Sequence, residues 1–210
     1  MAAVTTSGDV THHTDFDADD IEWVGPERAR DAIVIAEPDD AWSTWYAELA
    51  VRIRDALGAD VLDLQHVGST SVPGLAAKPV IDIDLTVPDT RDEAAYVPAL
   101  EAAGFWLRLR EPGWHEHRLL CAEDPPANVH VFGPGSPEVV RHRMLREWLT
   151  AHPDDRRRYA AAKHAAAVAA NGAGESMMSY NVRKEPVIRD ILDRMFRAHG
   201  LLPAEASDPA

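Results

Sequence analysis

The pattern of apolar and polar positions changes character once along the chain. Up to about residue 135, short apolar runs broken by turn residues read as strands interleaved with helices, and from Pro137 onward the spacing is helical. Ile33-Val34-Ile35-Ala36 predicts a short strand, and Asp39 or Asp40 then caps a helix to about Leu57 that carries Trp42, Trp45, Tyr46, Leu49 and Ile53 at helical spacing. A strand is expected over 61–67, closed by Gly68-Ser69-Thr70-Ser71-Val72-Pro73-Gly74, and the next over 80–87 is the most apolar run of the chain, stopped by Pro88. A helix over 91–103 ends at Gly104, further strands fit 105–109, 117–121 and 128–132, and helices fit 138–149, 153–170 and 180–198. Asn171-Gly172-Ala173-Gly174 breaks the last two. The order predicts an α+β fold: a mixed sheet flanked by helices, with a helical cap at the C-terminal end.

At 210 residues, 46% apolar and 27% charged, the chain is expected to bury one core. The domain is placed over residues 31–200, with an α/β part over 31–135 and a helical part over 136–200. An acidic flexible tail is expected over 1–30, where five aspartates from Asp9 to Asp20 precede the first basic residue, and a second tail over 201–210. The net charge of −14 speaks against a nucleic-acid partner, which needs a basic face to release counterions, so any bound phosphate must meet a local basic cluster. Cys121 is the only cysteine, which rules out an intrachain disulfide and a thiolate zinc site and suits a reducing cytoplasm. Residues 1–20 do not read as a secretion signal and no apolar run is long enough for a membrane span, so a cytoplasmic location without membrane contact is expected.

Candidate chemistry centres on the strand over 80–87. Asp82 and Asp84 are two apart, so both project from one sheet face while Ile81, Ile83 and Leu85 fill the other. Two like charges on a buried face repel unless a cation lies between them, and hard oxygen donors without thiolates favour Mg²⁺ or Mn²⁺. The competing reading is an exposed strand face with two solubilising aspartates, which so apolar a run disfavours. Just upstream, Gly68 and Gly74 allow close backbone approach, and Ser69, Thr70, Ser71 and Lys78 supply donors for phosphate oxygens.

Gly-Ser followed about a dozen residues later by Asp-x-Asp resembles the nucleotidyltransferase superfamily, and His66-Val-Gly-Ser-Thr-Ser-Val-Pro-Gly-Leu-Ala-Ala-Lys-Pro-Val-Ile-Asp-Ile-Asp84 resembles the GrpB family within it. The likeness continues through Trp42, Asn128-Val-His-Val-Phe132, Arg141-His-Arg-Met-Leu-Arg-Glu-Trp-Leu149, Pro153, and the pairs Tyr159/Lys163 and Tyr180/Lys184, covering roughly residues 33–197. The resemblance implies a nucleotidyltransferase-like sheet under a helical cap, with Asp82 and Asp84 as metal ligands and Ser69 with its neighbouring amides on phosphate. Where that superfamily usually supplies a third carboxylate from a later strand, the matching strand here offers His130, as a metal ligand, a phosphate contact or an ordinary strand histidine.

Other candidates are weaker. Arg141, Arg143 and Arg146 cluster on one helix, and Arg146 with Tyr159, Lys163 and Lys184 could meet a triphosphate, although Arg156-Arg157-Arg158 shows that basic residues also line solvated helix faces. His117 or Arg118 could face the aspartates across the sheet, His115 with His117 has zinc-compatible spacing but lacks further ligands, and Trp106 and Trp114 could stack a base or simply pack. Two functions are expected in competition. One is a metal-dependent nucleotidyltransferase using a nucleoside triphosphate and an unknown acceptor. The other is a catalytically silent module that binds a nucleotide or CoA-like phosphate ligand and assists a partner enzyme, as GrpB-like segments fused to dephospho-CoA kinases suggest.

Overall fold

A computed structural model describes residues 6–15, 17–25 and 32–204. In chain order the elements are α1 (Ser7–Thr11), β1 (Glu22–Trp23), α2 (Ala41–Leu57), β2 (Asp63–Val67), β3 (Ile81–Thr86), α3 (Glu93–Ala102), β4 (Trp106–Glu111), β5 (His117–Glu123), β6 (Pro126–Phe132), α4 (Pro137–Ala151), α5 (Pro153–Ala173) and α6 (Met177–Ala198). The six strands form one mixed sheet in the order β1-β4-β5-β6-β3-β2. Only β3 and β6 run parallel, with Asp84 opposite His130, and the other neighbours are antiparallel.

Period-2 alternation divides the work of the sheet. Ile81, Ile83 and Leu85 of β3 and Val129 and Val131 of β6 are fully buried against Leu49 and Ile53 of α2 and Tyr96 and Leu100 of α3. Burying each such aliphatic side chain stabilises the fold by about 1.5–3 kcal/mol, so this face carries the main core. The opposite face of the same strands, bearing Asp82, Asp84 and His130, lies toward α4, α5 and α6. Those helices are pinned there by Leu149, Tyr159 and Ile191, which pack on Val72 and Leu75 of the loop between β2 and β3. Among the described residues, no helix is long and apolar enough to cross a membrane.

The expected acidic tail over 1–30 is a correction. Its aspartates build structure: Asp9 closes a capping box with Thr6 at the start of α1, and Asp20 accepts from the Gly113 amide at 2.9 and 3.0 Å. Val10 is buried beside Leu192, Met195 and Phe196 of α6, and Glu22 and Trp23 pair with Arg110 and Leu109 at the sheet edge. Residues 1–5, 16 and 26–31 lie outside the described residues. At the other end, Leu201 and Leu202 pack on the α6 cluster rather than forming part of a tail, and 205–210 lie outside the description.

The strand expected over 33–36 is also corrected. Only Ala36 makes a bridge, to Ala77. Ile33 instead docks on Ala166, Ala167 and Ala170 of α5, and its backbone is clamped by Asn171, which accepts from the Ile33 N–H at 2.8 Å and donates to its carbonyl at 2.9 Å. An apolar run and satisfied backbone groups are all that burial requires, and a side-chain amide supplies the second as well as a strand neighbour does. The same Asn171 lies inside α5, which runs on to Ala173 and ends at Gly174 in the left-handed conformation (φ 62°), so the expected break comes later than its first residue.

Candidate functional site

The site lies where β3 emerges beneath the turn after β2. Gly68 has φ +67° and ψ −168°, a region nearly closed to other residues, and a Cβ placed there would lie 2.3 Å from Asp82 Oδ2. Glycine therefore lets the backbone of the Gly68-Ser69 turn sit directly on the Asp82 carboxylate. The turn holds itself together with its other hydroxyls: Ser71 Oγ donates to the Gly68 carbonyl at 2.7 Å, and Thr70 Oγ1 is 3.0 Å from His66 Nε2 and buried. Of the three hydroxyls expected on phosphate, these two are committed to folding the loop. Ser69 makes no side-chain hydrogen bond among the described residues and is the one available to a ligand.

Asp82 and Asp84 share a face, as the alternation requires, but their surroundings differ. Asp82 is 31% exposed at its side chain, accepts from Asn128 Nδ2 at 2.9 Å, and has His130 Nε2 3.9 Å from its Oδ1. Burial pushes its carboxyl up, but the interaction with His130, the Asn128 amide and the charge of Lys78 outweigh that and hold it down at about 2, so it is ionised. Asp84 is 1% exposed, and His142 Nδ1 of α4 reaches both its oxygens at 3.1 and 3.0 Å. Burial disfavours the imidazolium of His142, yet the charge and hydrogen bond of Asp84, with Glu138 and Asp82 beyond, raise its pKa above the ordinary histidine value. The repulsion between the two carboxylates is thus already eased by side chains of the protein.

A chain of imidazoles extends from Asp82 across the sheet. His130 Nδ1 lies 3.1 Å from His117 Nε2, and His117 Nδ1 lies 2.7 Å from Glu111 Oε2. Burial, reinforced by the charges of His130, His142, Arg118 and His115, keeps the His117 pKa well below the usual value, so His117 is neutral. Trp114 packs edge-on to His117 at 4.9 Å and so is packing rather than an open platform for a base. Trp106 is also occupied by packing, its ring lying against the Gly25 backbone.

Arg118 is a correction. As the neighbour of His117 on β5 it points to the other sheet face, where its Nε donates to Glu93 of α3 at 2.7 Å. Adjacent strand residues cannot both face the aspartates, and His117 is the one that does. His115 reaches Glu138 at 3.9 Å and forms no zinc site with His117, and no group of three or more His, Cys, Asp or Glu gathers in metal-holding geometry among the described residues.

The helical cap contributes cations. Lys163 is 1% exposed, donates to the Ala76 carbonyl of the loop and lies 4.6 Å from the Tyr159 ring. Lys184 lies 4.9 Å from the Tyr180 ring in the matching arrangement. Burial and then the charge of Lys184 depress the Lys163 pKa to about 7, with Asp82 pulling the other way, so all three groups share one electrostatic field. Lys78 contacts Met177 of α6 at 3.1 Å. Of the α4 arginines, Arg141 holds the carbonyls of Val10 and His12, away from the acids, and Arg146 donates to the His66 carbonyl at 3.0 Å. Arg146 also lines a cleft of about 450 Å³ with His66, Ser71, Pro73, Glu147 and Thr150. Sequence reasoning missed His142, Glu138, Asn128 and Glu111. The four-residue spacing Glu138, His142, Arg146 on α4 was the available signal for the first two.

The donor set is of the type that a divalent ion of the Mg²⁺ or Mn²⁺ class takes, although its members do not converge into a metal-holding group of three among the described residues. It offers an ionised, partly exposed Asp82, a second carboxylate on the same face and an imidazole in register with it. Asp84 becomes a ligand only by sharing or leaving His142.

Comparisons with known proteins agree on what this arrangement belongs to. The chain is 40% identical over 195 residues to a UPF0157 protein of Halalkalibacterium halodurans, covering 92% of this chain and 98% of the relative. It is 32% identical to a dephospho-CoA kinase of Mycolicibacterium paratuberculosis over 79% of this chain but only 46% of that longer protein. The crystal structure of the conserved protein GrpB from Enterococcus faecalis superposes with a TM-score of 0.68 at 26% identity, covering 80% of this chain and 99% of that one. The family model described as GrpB protein matches residues 32–194, from the segment before α2 into the last turns of α6, and the chain belongs to the GrpB family.

Proposed function

We propose that this protein is a divalent-metal-dependent nucleotidyltransferase that moves a nucleotidyl group from a nucleoside triphosphate to an acceptor of unknown identity in the cytoplasm. The observation that carries this reading is the seating of the Gly68 turn on Asp82, with its hypothetical Cβ 2.3 Å from the carboxylate. A phosphate chain laid on that turn meets the Ser69 hydroxyl on one side and the acids on the other. Lys78, whose charge already acts on Asp82, and Lys184 would offset its charge, whereas Lys163 is buried on the Ala76 carbonyl. Asp82 and Asp84 would hold the ion, which when bound neutralises charge on the α-phosphate and the leaving pyrophosphate and orients the attacking group. The acceptor oxygen would form its bond to the α-phosphorus as the bond to pyrophosphate breaks and its proton passes to solvent, and His130, in register with Asp84, would contact the ion or a phosphate oxygen. The buried sheet face beneath keeps Asp82 and Asp84 rigidly aligned. The net charge of −14 makes a nucleic-acid acceptor a poor match.

A second reading has its own support. The double contact of His142 on Asp84 already neutralises one acid, and one relative carries this module within a protein named dephospho-CoA kinase. A silent phosphate-ligand module would need no ion. Thermal shift with ATP, GTP, CTP, UTP and CoA, with and without Mg²⁺ or Mn²⁺, separates the two. Stabilisation by a triphosphate only with metal, lost in Asp82→Asn, supports the transferase, and metal-independent stabilisation by CoA supports the module.

A further inference from the structure

The cleft beside the Gly68 turn, about 450 Å³ in volume, is where His66, Ser71 and Pro73 meet Arg146, Glu147 and Thr150 of α4. It is large enough for a small organic molecule. His66 and Ser71 bracket the Gly68-Ser69 turn in sequence, and Arg146 stands one helical turn past His142, the residue on Asp84, so the cleft adjoins the acids.

Two arginines border it, and both are held by main-chain carbonyls. Arg146 donates Nη1 to the His66 carbonyl at 3.0 Å. Arg156 of α5 donates Nη1 to the carbonyls of Leu149 and Thr150, each at 3.1 Å, and its Nε lies 4.0 Å from where a Cβ on Gly74 would stand, next to Pro73. Among the described residues neither pairs with a carboxylate, whereas the neighbouring Arg157 and Arg158 pair with Asp154 and Asp190. That is a departure in a chain with 35 acidic residues against 21 basic ones. A carbonyl fixes a guanidinium in place without cancelling its charge, and each fork keeps further N–H donors. The other groups at the cleft do not cancel it either. Glu147 supplies a single negative charge, and burial outweighs the pull of Asp82 and, with the charge of Arg146, holds the His66 pKa down at about 4, leaving that ring neutral. The hydroxyls are spent on the fold, Ser71 on the Gly68 carbonyl and Thr150 on the Arg146 carbonyl. What remains for recognition is a positively charged recess with forked donors.

We propose that this cleft binds the acceptor, and that the acceptor is a small hydroxylated molecule carrying a phosphate or carboxylate group whose charge is met by Arg146 and Arg156. Its assignment to the acceptor rests on the nucleotidyltransferase reading and names the second substrate by class, while the binding of an anion stands apart from it. An oxyanion takes two parallel bonds from a guanidinium, which anchors one end of the molecule and leaves the other free to reach the Gly68-Ser69 turn. There its hydroxyl oxygen bonds to the α-phosphorus, pyrophosphate leaves with the electron pair, and the hydroxyl proton passes to solvent.

The test uses the full chain, without divalent metal, in isothermal titration calorimetry with glycerol 3-phosphate, glycerate and glycerol. At least one of the two anions is expected to bind, more weakly as salt is added, and glycerol is not; the two anions distinguish phosphate from carboxylate. Arg146→Gln and Arg156→Gln should each weaken binding by about 10-fold or more, with lysine at either position restoring part of it. Glu147→Gln, at an exposed position, should tighten binding by about 2–5-fold, a gain that a loss of folding cannot produce. Arg157→Gln should change it by less than about twofold. Binding of neither anion, or binding indifferent to Arg146→Gln, Arg156→Gln and Glu147→Gln, overturns the inference. So does mutual exclusion between the anion and ATP with Mg²⁺, which would give the cleft to the triphosphate. Arginine-dependent anion binding in a protein that no triphosphate stabilises with Mg²⁺ or Mn²⁺ overturns the nucleotidyltransferase reading instead and leaves the anion site standing.

Discussion

Replacing Gly68 by alanine tests the turn and the acid together, because the two effects have separate origins and can be subtracted. At φ +67° and ψ −168° a side chain costs on the order of 1–3 kcal/mol in backbone strain alone. The added Cβ would then meet Asp82 Oδ2 at 2.3 Å, Cβ at 2.8 Å and Cγ at 2.9 Å, none of which it can overlap. Asp82 cannot swing away freely, since Asn128 holds it at 2.9 Å and its backbone is paired within β3. Displacing it and its hydrogen bond adds roughly 1–2 kcal/mol, for a total of about 2–5 kcal/mol. Gly74→Ala is the control: its φ is +74°, but the nearest atom is Arg156 Nε at 4.0 Å, so only the backbone term applies, about 1 kcal/mol. Urea unfolding of both variants gives the difference, and Mn²⁺ titration shows whether the acid has moved. A Gly68→Ala protein no less stable than Gly74→Ala, with metal binding intact, would refute the claim that the turn rests on the carboxylate.

Three further outcomes follow from the same geometry. Lys163 binds its proton more weakly in the fold, near pH 7 against the ordinary 10.5, so the folded chain carries fewer protons than the unfolded one between those values. Wild type should therefore gain stability relative to Lys163→Met as pH rises from about 7 to 10, and a flat difference in denaturant titrations contradicts the burial argument. Arg118→Leu should lower stability by about 1–3 kcal/mol, because Glu93 keeps Arg110 at 2.6 Å, while Mn²⁺ affinity stays within twofold. A large loss of affinity in calorimetry would return Arg118 to the site. Val10→Asp should cost about 2–4 kcal/mol in urea unfolding by burying a charge against Phe196, whereas a freely solvated tail predicts a change within about 0.5 kcal/mol.

The sheet and its site face were legible because period-2 alternation leaves little choice. Once Ile81, Ile83 and Leu85 point inward, Asp82 and Asp84 must share the other side. What was illegible depended on contacts between distant segments. The acids of the first twenty residues read as solvated until the Gly113 amide and α6 appear beside them, because composition measures polarity and not its partners. Choosing between His117 and Arg118 needed the register of β5 against β6, which puts Leu119 opposite His130. The same was true of His142. Its role comes from α4 crossing above β3, a packing geometry with no local trace beyond the four-residue spacing from Glu138. The hydroxyl loop was read as three ligand donors, yet a tight turn commits hydroxyls to its own fold, Ser71 to the Gly68 carbonyl and Thr70 to the His66 ring.

The most direct measurement is a crystal structure of the protein grown with Mn²⁺ and a non-hydrolysable nucleoside triphosphate, with the anomalous signal of manganese used to locate the ion. The account predicts manganese held by Asp82 and Asp84 and the triphosphate along the Gly68-Ser69 turn. Manganese bound elsewhere, or a triphosphate held away from Ser69 with Asp84 still closed on His142, would contradict it.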